Sequence, residues 1–125
     1  MTGERLRAFL RSFGYACAGI AYAARTQRNL RVHLALAGLV IVAGWGLQVT
    51  AIEWAVLALT IGAVFSAELV NTVAELAVDL LTQEYHPMAK AAKDVAAAAV
   101  LVTALAAVGV GIAIFGPRLW RILFG

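Results

Sequence analysis

The chain has 125 residues, of which 63% are hydrophobic and only 14% are charged, with a formal net charge of +3. So little charge excludes an ordinary soluble domain, which needs more charged side chains to cover its surface, and the length indicates one domain. The single cysteine, Cys17, excludes a disulfide within the chain.

The N-terminal part of the chain, over residues 4–28, is predicted to form an amphipathic surface helix. Its larger apolar side chains share an arc of roughly 100° at helical spacing, and Arg5, Arg7, Arg11 and Arg25 lie off that arc. Basic amphipathic helices of this kind usually lie in the membrane interface. The helix therefore serves either as a topology anchor or as one wall of a site at the membrane surface.

Three stretches without aspartate, glutamate, lysine or arginine occupy residues 32–52, 54–67 and 95–117. The first and third are long enough to cross about 30 Å of hydrocarbon as helices. The second reaches spanning length only when the more polar residues after it are included. The sequence therefore predicts an all-α membrane protein in which the surface helix precedes transmembrane helices at residues 31–49, 52–81 and 88–116.

Basic residues indicate the orientation of these helices, because cytoplasmic loops carry an excess of lysine and arginine. Six arginines precede the first span, Lys90 and Lys93 follow the second, and the loop between these two spans has no basic residue. We therefore expect the N-terminus and the second loop to be cytoplasmic. Arg118 and Arg121 would then lie outside, against the rule, beyond Pro117, which is predicted to end the last helix.

A polar stripe interrupts the second span between residues 68 and 79. At about 100° per residue its members fall within an arc of roughly 80°, and the stripe is roughly 16 Å long. They are three carboxylates and one amide: Glu68, Asn71, Glu75 and Asp79. Such groups on an apolar helix are costly unless they face a site, a metal or a partner. We therefore interpret the stripe as the functional core.

The predicted orientation brings this stripe to the same cytoplasmic face as Gln27, the loop at residues 84–86, and Lys93 with Asp94. Paired carboxylates bind a hard cation such as Mg²⁺, and a lysine beside them suits a phosphate. Glu68, deeper in the apolar zone, suits a general base acting on a hydroxyl delivered from the lipid. These are the parts that phosphoryl transfer needs. A proton or cation pathway lined by the same carboxylates is the alternative.

One class of phosphoryl-transfer enzyme is excluded by the sequence. The motif GxxxxGK[ST], whose backbone cradles phosphates in P-loop proteins, does not occur in the chain.

The stripe, ELVNTVAELAVD, resembles the signature of the prokaryotic diacylglycerol kinase and undecaprenol kinase family. Further similarity lies at Gly14-Tyr15, Gly19, residues 24–29, residues 84–87 and residues 89–97. The resemblance covers nearly the whole chain, and the segment HPMAKAAKD is similar to the undecaprenol kinase branch of Gram-positive bacteria. It implies a homotrimer in the bacterial cytoplasmic membrane, with sites shared between subunits, that phosphorylates a lipid alcohol with MgATP. A nucleic-acid partner is not expected.

The resemblance also implies a role for each residue that matches the family's motifs. Glu68 would be the catalytic acid/base at the lipid hydroxyl, and Glu75 would hold Mg²⁺ on the ATP phosphates. Lys93 would contact phosphate. The remaining expected members of the nucleotide site are Tyr15, Gln27, Asn71, Asp79, Glu84, Tyr85, His86 and Asp94.

Gln27 departs from the family's pattern. The family has a glutamate there, which shares the metal with the residue that matches Glu75. A glutamine oxygen still coordinates a cation, but it lacks the charge that makes Mg²⁺ binding strong. The departure leaves three interpretations open: a weakened kinase, a catalytically inactive scaffold of the kinase fold, or a site in which another group supplies the charge.

Other polar residues near the membrane boundary are given a structural role. His33, at the start of the first span, is interpreted as an interface residue rather than a ligand. Lys90 is interpreted mainly as a topology anchor, and Tyr15 and Tyr85 are also typical of an aromatic belt.

Overall fold

The computed structural model describes residues 3–125, which form four α-helices and no strand. These helices are α1 (Gly3–Thr26), α2 (Arg28–Gly46), α3 (Ala51–Leu81) and α4 (Pro87–Phe124). Helices α2, α3 and α4 are long and apolar enough to cross a membrane. The predicted all-α architecture with three candidate spans is therefore confirmed over the described residues.

Helix α3 is central, since it contacts each of the other three helices. A small apolar core of Val49, Leu57 and Ile114 joins α4 to the start of α3. Nearby, the Trp54 ring packs so closely on Gly44 that a Cβ at that glycine would lie 2.7 Å from the ring. Glycine therefore permits the close approach of α2 to α3 at this end of the bundle.

The turn before α3 is closed by a reciprocal pair of hydrogen bonds. The Thr50 hydroxyl accepts from the Glu53 N–H at 3.3 Å, and the Glu53 carboxylate accepts from the Thr50 N–H at 2.7 Å. This capping box satisfies N–H groups that a helix start leaves without partners. Gln48, just before it, has a φ of 52°, which lets the chain reverse within a few residues.

The prediction that Pro117 ends the last helix is wrong, because α4 continues through Pro117 to Phe124. A proline removes one backbone hydrogen bond and crowds the preceding turn, so a helix passes through it when other contacts hold that turn. Arg118, the next residue, supplies them: its guanidinium donates to the carbonyl of Ile114 at 2.7 Å and reaches across to α3.

Arg118 forms a clasp with Glu53 and Leu47 that joins α4 to the end of α2 and the start of α3. Two guanidinium nitrogens donate to the two Glu53 carboxylate oxygens at 2.9 and 2.7 Å, and Nε donates to the Leu47 carbonyl at 3.2 Å. A bidentate pair of this kind is stronger and more directional than a single contact. The charge of Arg118 is therefore paired within the protein, although basic residues were expected mainly on the cytoplasmic side and Arg118 was not.

Removing the clasp is expected to destabilise the bundle. Arg118→Ala leaves Glu53 without its cation, whereas Arg121→Ala, the matched control, removes only a 3.4 Å bond to the Pro117 carbonyl. We expect the first variant to lower the thermal unfolding midpoint in detergent by several degrees and the second to leave it nearly unchanged. Equal midpoints for the two variants would contradict the assignment.

Candidate active site at the opposite end of the bundle

The polar stripe of α3 lies at the end of the bundle away from the clasp, and its members differ in burial. Glu68 and Asn71 are buried, Glu75 is half-buried, and Asp79 is exposed. Each carboxylate has a side-chain partner outside α3: His33 for Glu68, Gln27 for Glu75, and Lys93 for Asp79. The stripe therefore forms the common wall of several small sites.

Both oxygens of Glu75 accept hydrogen bonds from amide side chains. The Asn71 amide donates to Oε1 at 3.0 Å, from one helical turn away, and the Gln27 amide donates to Oε2 at 3.3 Å. Gln27 is the extended residue between α1 and α2, and its side chain does not cap α2, which leaves the amide available to reach α3. The structure thus brings together three residues that the sequence assigned to one site.

The oxygen atoms of this cluster are of the kind that Mg²⁺ binds. Asn71 Oδ1 is buried without a hydrogen-bond partner in the described part of the chain, and it lies on the amide that contacts Glu75. One carboxylate and two amide oxygens suit a Mg²⁺ ion that keeps several waters and takes its other ligands from phosphates. Residues 3–125 contain no group of three histidine, cysteine or acidic side chains that could hold a metal. The residues fit Mg²⁺, with a single protein charge.

Glu68 is only 2% exposed and lies against α2. Its Oε1 has no hydrogen-bond partner among the described residues, and His33 Nε2 approaches it to 3.2 Å, a close contact rather than a well-aligned hydrogen bond. The interpretation of His33 as a plain interface residue missed this contact. His33 lies three residues after Leu30, which is buried, and so falls on the inward side of α2. The tertiary structure shows that side, and the sequence contains no separate signal for it.

A polar cavity of about 320 Å³ lies where α3 turns into α4. Lys93 pairs with Asp79 at 2.5 Å, and Lys90 pairs with Asp94 at 2.5 Å. Most of the residues predicted to bind the nucleotide line this cavity, together with Lys90. They are Asp79, Glu84, Tyr85, His86, Lys93 and Asp94.

The first turn of α4 holds the loop side of this cavity. Pro87 occupies an early helical position, where its missing N–H leaves no bond unmade. His86 caps the helix, since its Nδ1 accepts from the Met88 N–H at 3.2 Å. Lys90, which was interpreted from the sequence mainly as a topology anchor, also lines the cavity, where it pairs with Asp94.

Tyr15 stands apart from the other predicted site residues. It is 74% exposed on α1 and lines neither the polar cavity nor the amide cluster around Glu75. Its assignment to the nucleotide site therefore stays a prediction.

An apolar groove of about 300 Å³ runs along α2, α3 and α4 from the level of His33 toward the clasp. Leu36, Val64 and Val108 are among the side chains that line it, and Thr60 is one of its few polar members. Because His33 lines the groove and contacts Glu68, the buried carboxylate lies beside an apolar surface.

This end of the bundle combines a buried carboxylate beside an apolar groove, an amide–carboxylate cluster, and a cavity with paired lysines. These are the groups that the sequence predicted for a phosphoryl-transfer enzyme of the membrane. Comparison with known proteins agrees. The profile of the family described as prokaryotic diacylglycerol kinase matches residues 14–115. The chain therefore belongs to this family of lipid kinases, which confirms the resemblance seen in the sequence, and it is a multi-pass membrane protein.

Two curated relatives show the same relationship. The chain is 46% identical to the undecaprenol kinase of Bacillus subtilis over 116 aligned residues. The aligned region covers 93% of this chain and 94% of that protein. It is 50% identical to the diacylglycerol kinase of Synechocystis sp. over 113 aligned residues. Here the aligned region covers 90% of this chain and 65% of that protein. The first relative matches almost end to end, whereas the second is substantially longer than the region shared.

Proposed function

We propose that this chain transfers the terminal phosphoryl group of ATP to the hydroxyl of a membrane lipid alcohol, with Mg²⁺, and that undecaprenol is preferred to diacylglycerol. The observation that carries this proposal is the order of groups along one side of α3. Glu68 lies beside the apolar groove, Glu75 lies in the amide cluster, and Asp79 lies in the polar cavity. A lipid hydroxyl and a nucleotide can therefore approach the same helix face from opposite directions. The preference for undecaprenol follows the nearly end-to-end match to the Bacillus enzyme.

Glu68 acts as the general base in this reaction. It accepts the proton as the lipid O–H bond breaks and the new oxygen–phosphorus bond forms, while the phosphorus–oxygen bond to ADP breaks. Burial excludes water, which would otherwise compete as the acceptor.

Glu75, Gln27 and Asn71 would hold the Mg²⁺ that accompanies ATP. When bound, this ion neutralises charge on the phosphates. The Gln27 amide now presents its nitrogen to Glu75, so its side chain must turn over to present oxygen to a cation. Until a cation binds, the two hydrogen bonds from amides keep the Glu75 carboxylate oriented.

Lys93 and the polar cavity bind the nucleotide. The ammonium group of Lys93 is paired with Asp79 in the present structure. A phosphate oxygen of the nucleotide would contact the same ammonium group. Glu84, Tyr85 and Asp94, with His86, contribute the surrounding polar surface, and Tyr15 adds a further nucleotide contact from α1.

Helix α1 lies on the cytoplasmic membrane surface, with the N-terminus and the active site on that side of the bacterial inner membrane. Apolar side chains such as Leu6, Phe9 and Phe13 are exposed along it, and arginines accompany them. At the membrane surface, the apolar side chains can enter the acyl region while the arginines stay among the lipid head groups. This arrangement also agrees with the excess of basic residues before the first span.

The functional unit is a homotrimer with sites shared between subunits. A single chain leaves Asp79, Glu84 and Asp94 exposed at the membrane boundary, and a neighbouring subunit would enclose them. We expect the protein in mild detergent to have the mass of three chains by light scattering corrected for bound detergent. A monomer with full activity would contradict this prediction.

The function is tested with purified protein in lipid nanodiscs, MgATP labelled in the terminal phosphate, and either undecaprenol or diacylglycerol. We expect labelled lipid with both alcohols, faster formation with undecaprenol, and none when EDTA removes Mg²⁺. The absence of labelled lipid with either alcohol would overturn the proposal. Proton or cation flux into liposomes in that case would favour the pathway alternative, and no flux would favour an inactive scaffold.

A further inference from the structure

His33 is the residue next to the proposed base that neither the sequence motifs nor the mechanism above uses. We infer that His33 is a positioning residue, which holds the Glu68 carboxylate in one orientation for proton abstraction. This inference rests on the proposed function, because it assumes that Glu68 is the base. It assigns a role in the reaction to a side chain of α2.

The geometry gives His33 this role. Its Nε2 lies 3.2 Å from Glu68 Oε1, and the two residues belong to different helices, α2 and α3. A carboxylate that is only 2% exposed needs a partner, since an unpaired buried charge is strongly unfavourable. No hydrogen-bond donor serves Oε1 among the described residues. The imidazole is therefore the polar group placed to stabilise this oxygen.

The pair also suits the chemistry. With a proton on Nε2, the imidazole engages Oε1 and leaves Oε2 as the oxygen that accepts the proton of the substrate. The His33 side chain is 20% exposed and lines the apolar groove, so the ring lies between the base and the surface from which a lipid would approach. Small changes in this ring should therefore alter turnover more than nucleotide binding.

A double-mutant cycle tests the coupling between the two residues. His33→Ala, Glu68→Asp and the double variant are compared by kcat and by KM for ATP in the lipid assay. We expect His33→Ala to lower kcat about tenfold or more, less than the roughly 100-fold or greater loss typical of removing a base itself. The KM for ATP should change less than twofold. In the Glu68→Asp background, loss of His33 should have a much smaller effect, because coupled residues are not additive.

A conservative variant separates positioning from packing. His33→Gln keeps an N–H donor near the position of Nε2 but lacks the ring, and we expect it to recover a large part of the lost kcat. Fully additive effects in the cycle, with no recovery by glutamine, would overturn the inference. The thermal unfolding midpoint of each variant shows whether it is folded. Glu68→Asp with intact His33 provides the reference against which the double variant is compared.

A spectroscopic measurement does not depend on activity. The chain has two histidines, His33 and His86, so ring ¹⁵N labelling gives few signals. Glu68→Gln should move the ring signals of His33 and leave those of His86 in place as an internal control. If neither moves, the contact is absent and the inference fails. If the wild type phosphorylates no lipid, the proposed function fails and so does the catalytic role, even where the His33 signal reports the pair.

Discussion

Glu68→Gln is expected to lower kcat for lipid phosphorylation by about 100-fold or more, the range typical of a general base. Glutamine keeps the size of the side chain and its contacts in a site that is 2% exposed, but its amide does not accept a proton at neutral pH. Nucleotide binding should be nearly unchanged, since Glu68 lies toward the apolar groove and does not line the polar cavity.

The measurement combines steady-state kinetics with nucleotide affinity by calorimetry on the same preparation. Glu4→Gln removes the same charge from exposed α1 and serves as the matched control, with activity close to that of the wild type. Equal losses of affinity and turnover in Glu68→Gln would mean that Glu68 supports nucleotide binding rather than proton transfer.

Gln27→Glu is expected to raise the rate and to lower the Mg²⁺ concentration needed for half-maximal activity. In the present structure the Gln27 amide donates to Glu75 Oε2 at 3.3 Å. A glutamate in its place brings two carboxylates together, which repel each other until a cation separates them. Charge is a principal determinant of affinity for such hard cations. A tenfold rate increase requires only about 1.4 kcal/mol of additional transition-state stabilisation.

A Mg²⁺ titration of kinase activity for both forms measures this effect. Thermal unfolding adds a readout without catalysis: Gln27→Glu should be less stable than the wild type in EDTA and should gain more stability on addition of Mg²⁺. Gln48→Glu, which introduces the same charge in the turn between α2 and α3, is the matched control. Identical titration curves for Gln27→Glu and the wild type would show that residue 27 is not at the metal.

The sequence alone determined the membrane class, the number of candidate spans and the polar stripe, because these depend on local patterns. A stretch without charge predicts a span whatever surrounds it, and helical periodicity places Glu68 and Glu75 on one side of α3 wherever that helix lies. The loop at residues 84–86 and Lys93 were likewise predictable as neighbours, since both adjoin the start of α4.

Only the tertiary structure decided which partner each of these polar groups meets. Periodicity tells which side of a helix is polar, but the pairs His33–Glu68, Gln27–Glu75 and Arg118–Glu53 join residues far apart in the chain. Such contacts depend on how α1, α2 and α4 pack on α3. The same limit explains the error at Pro117, where a local helix-ending signal gave way to the clasp that Arg118 forms across the bundle. Local rules describe the helix alone, whereas the packed neighbour supplied the contacts that let it continue.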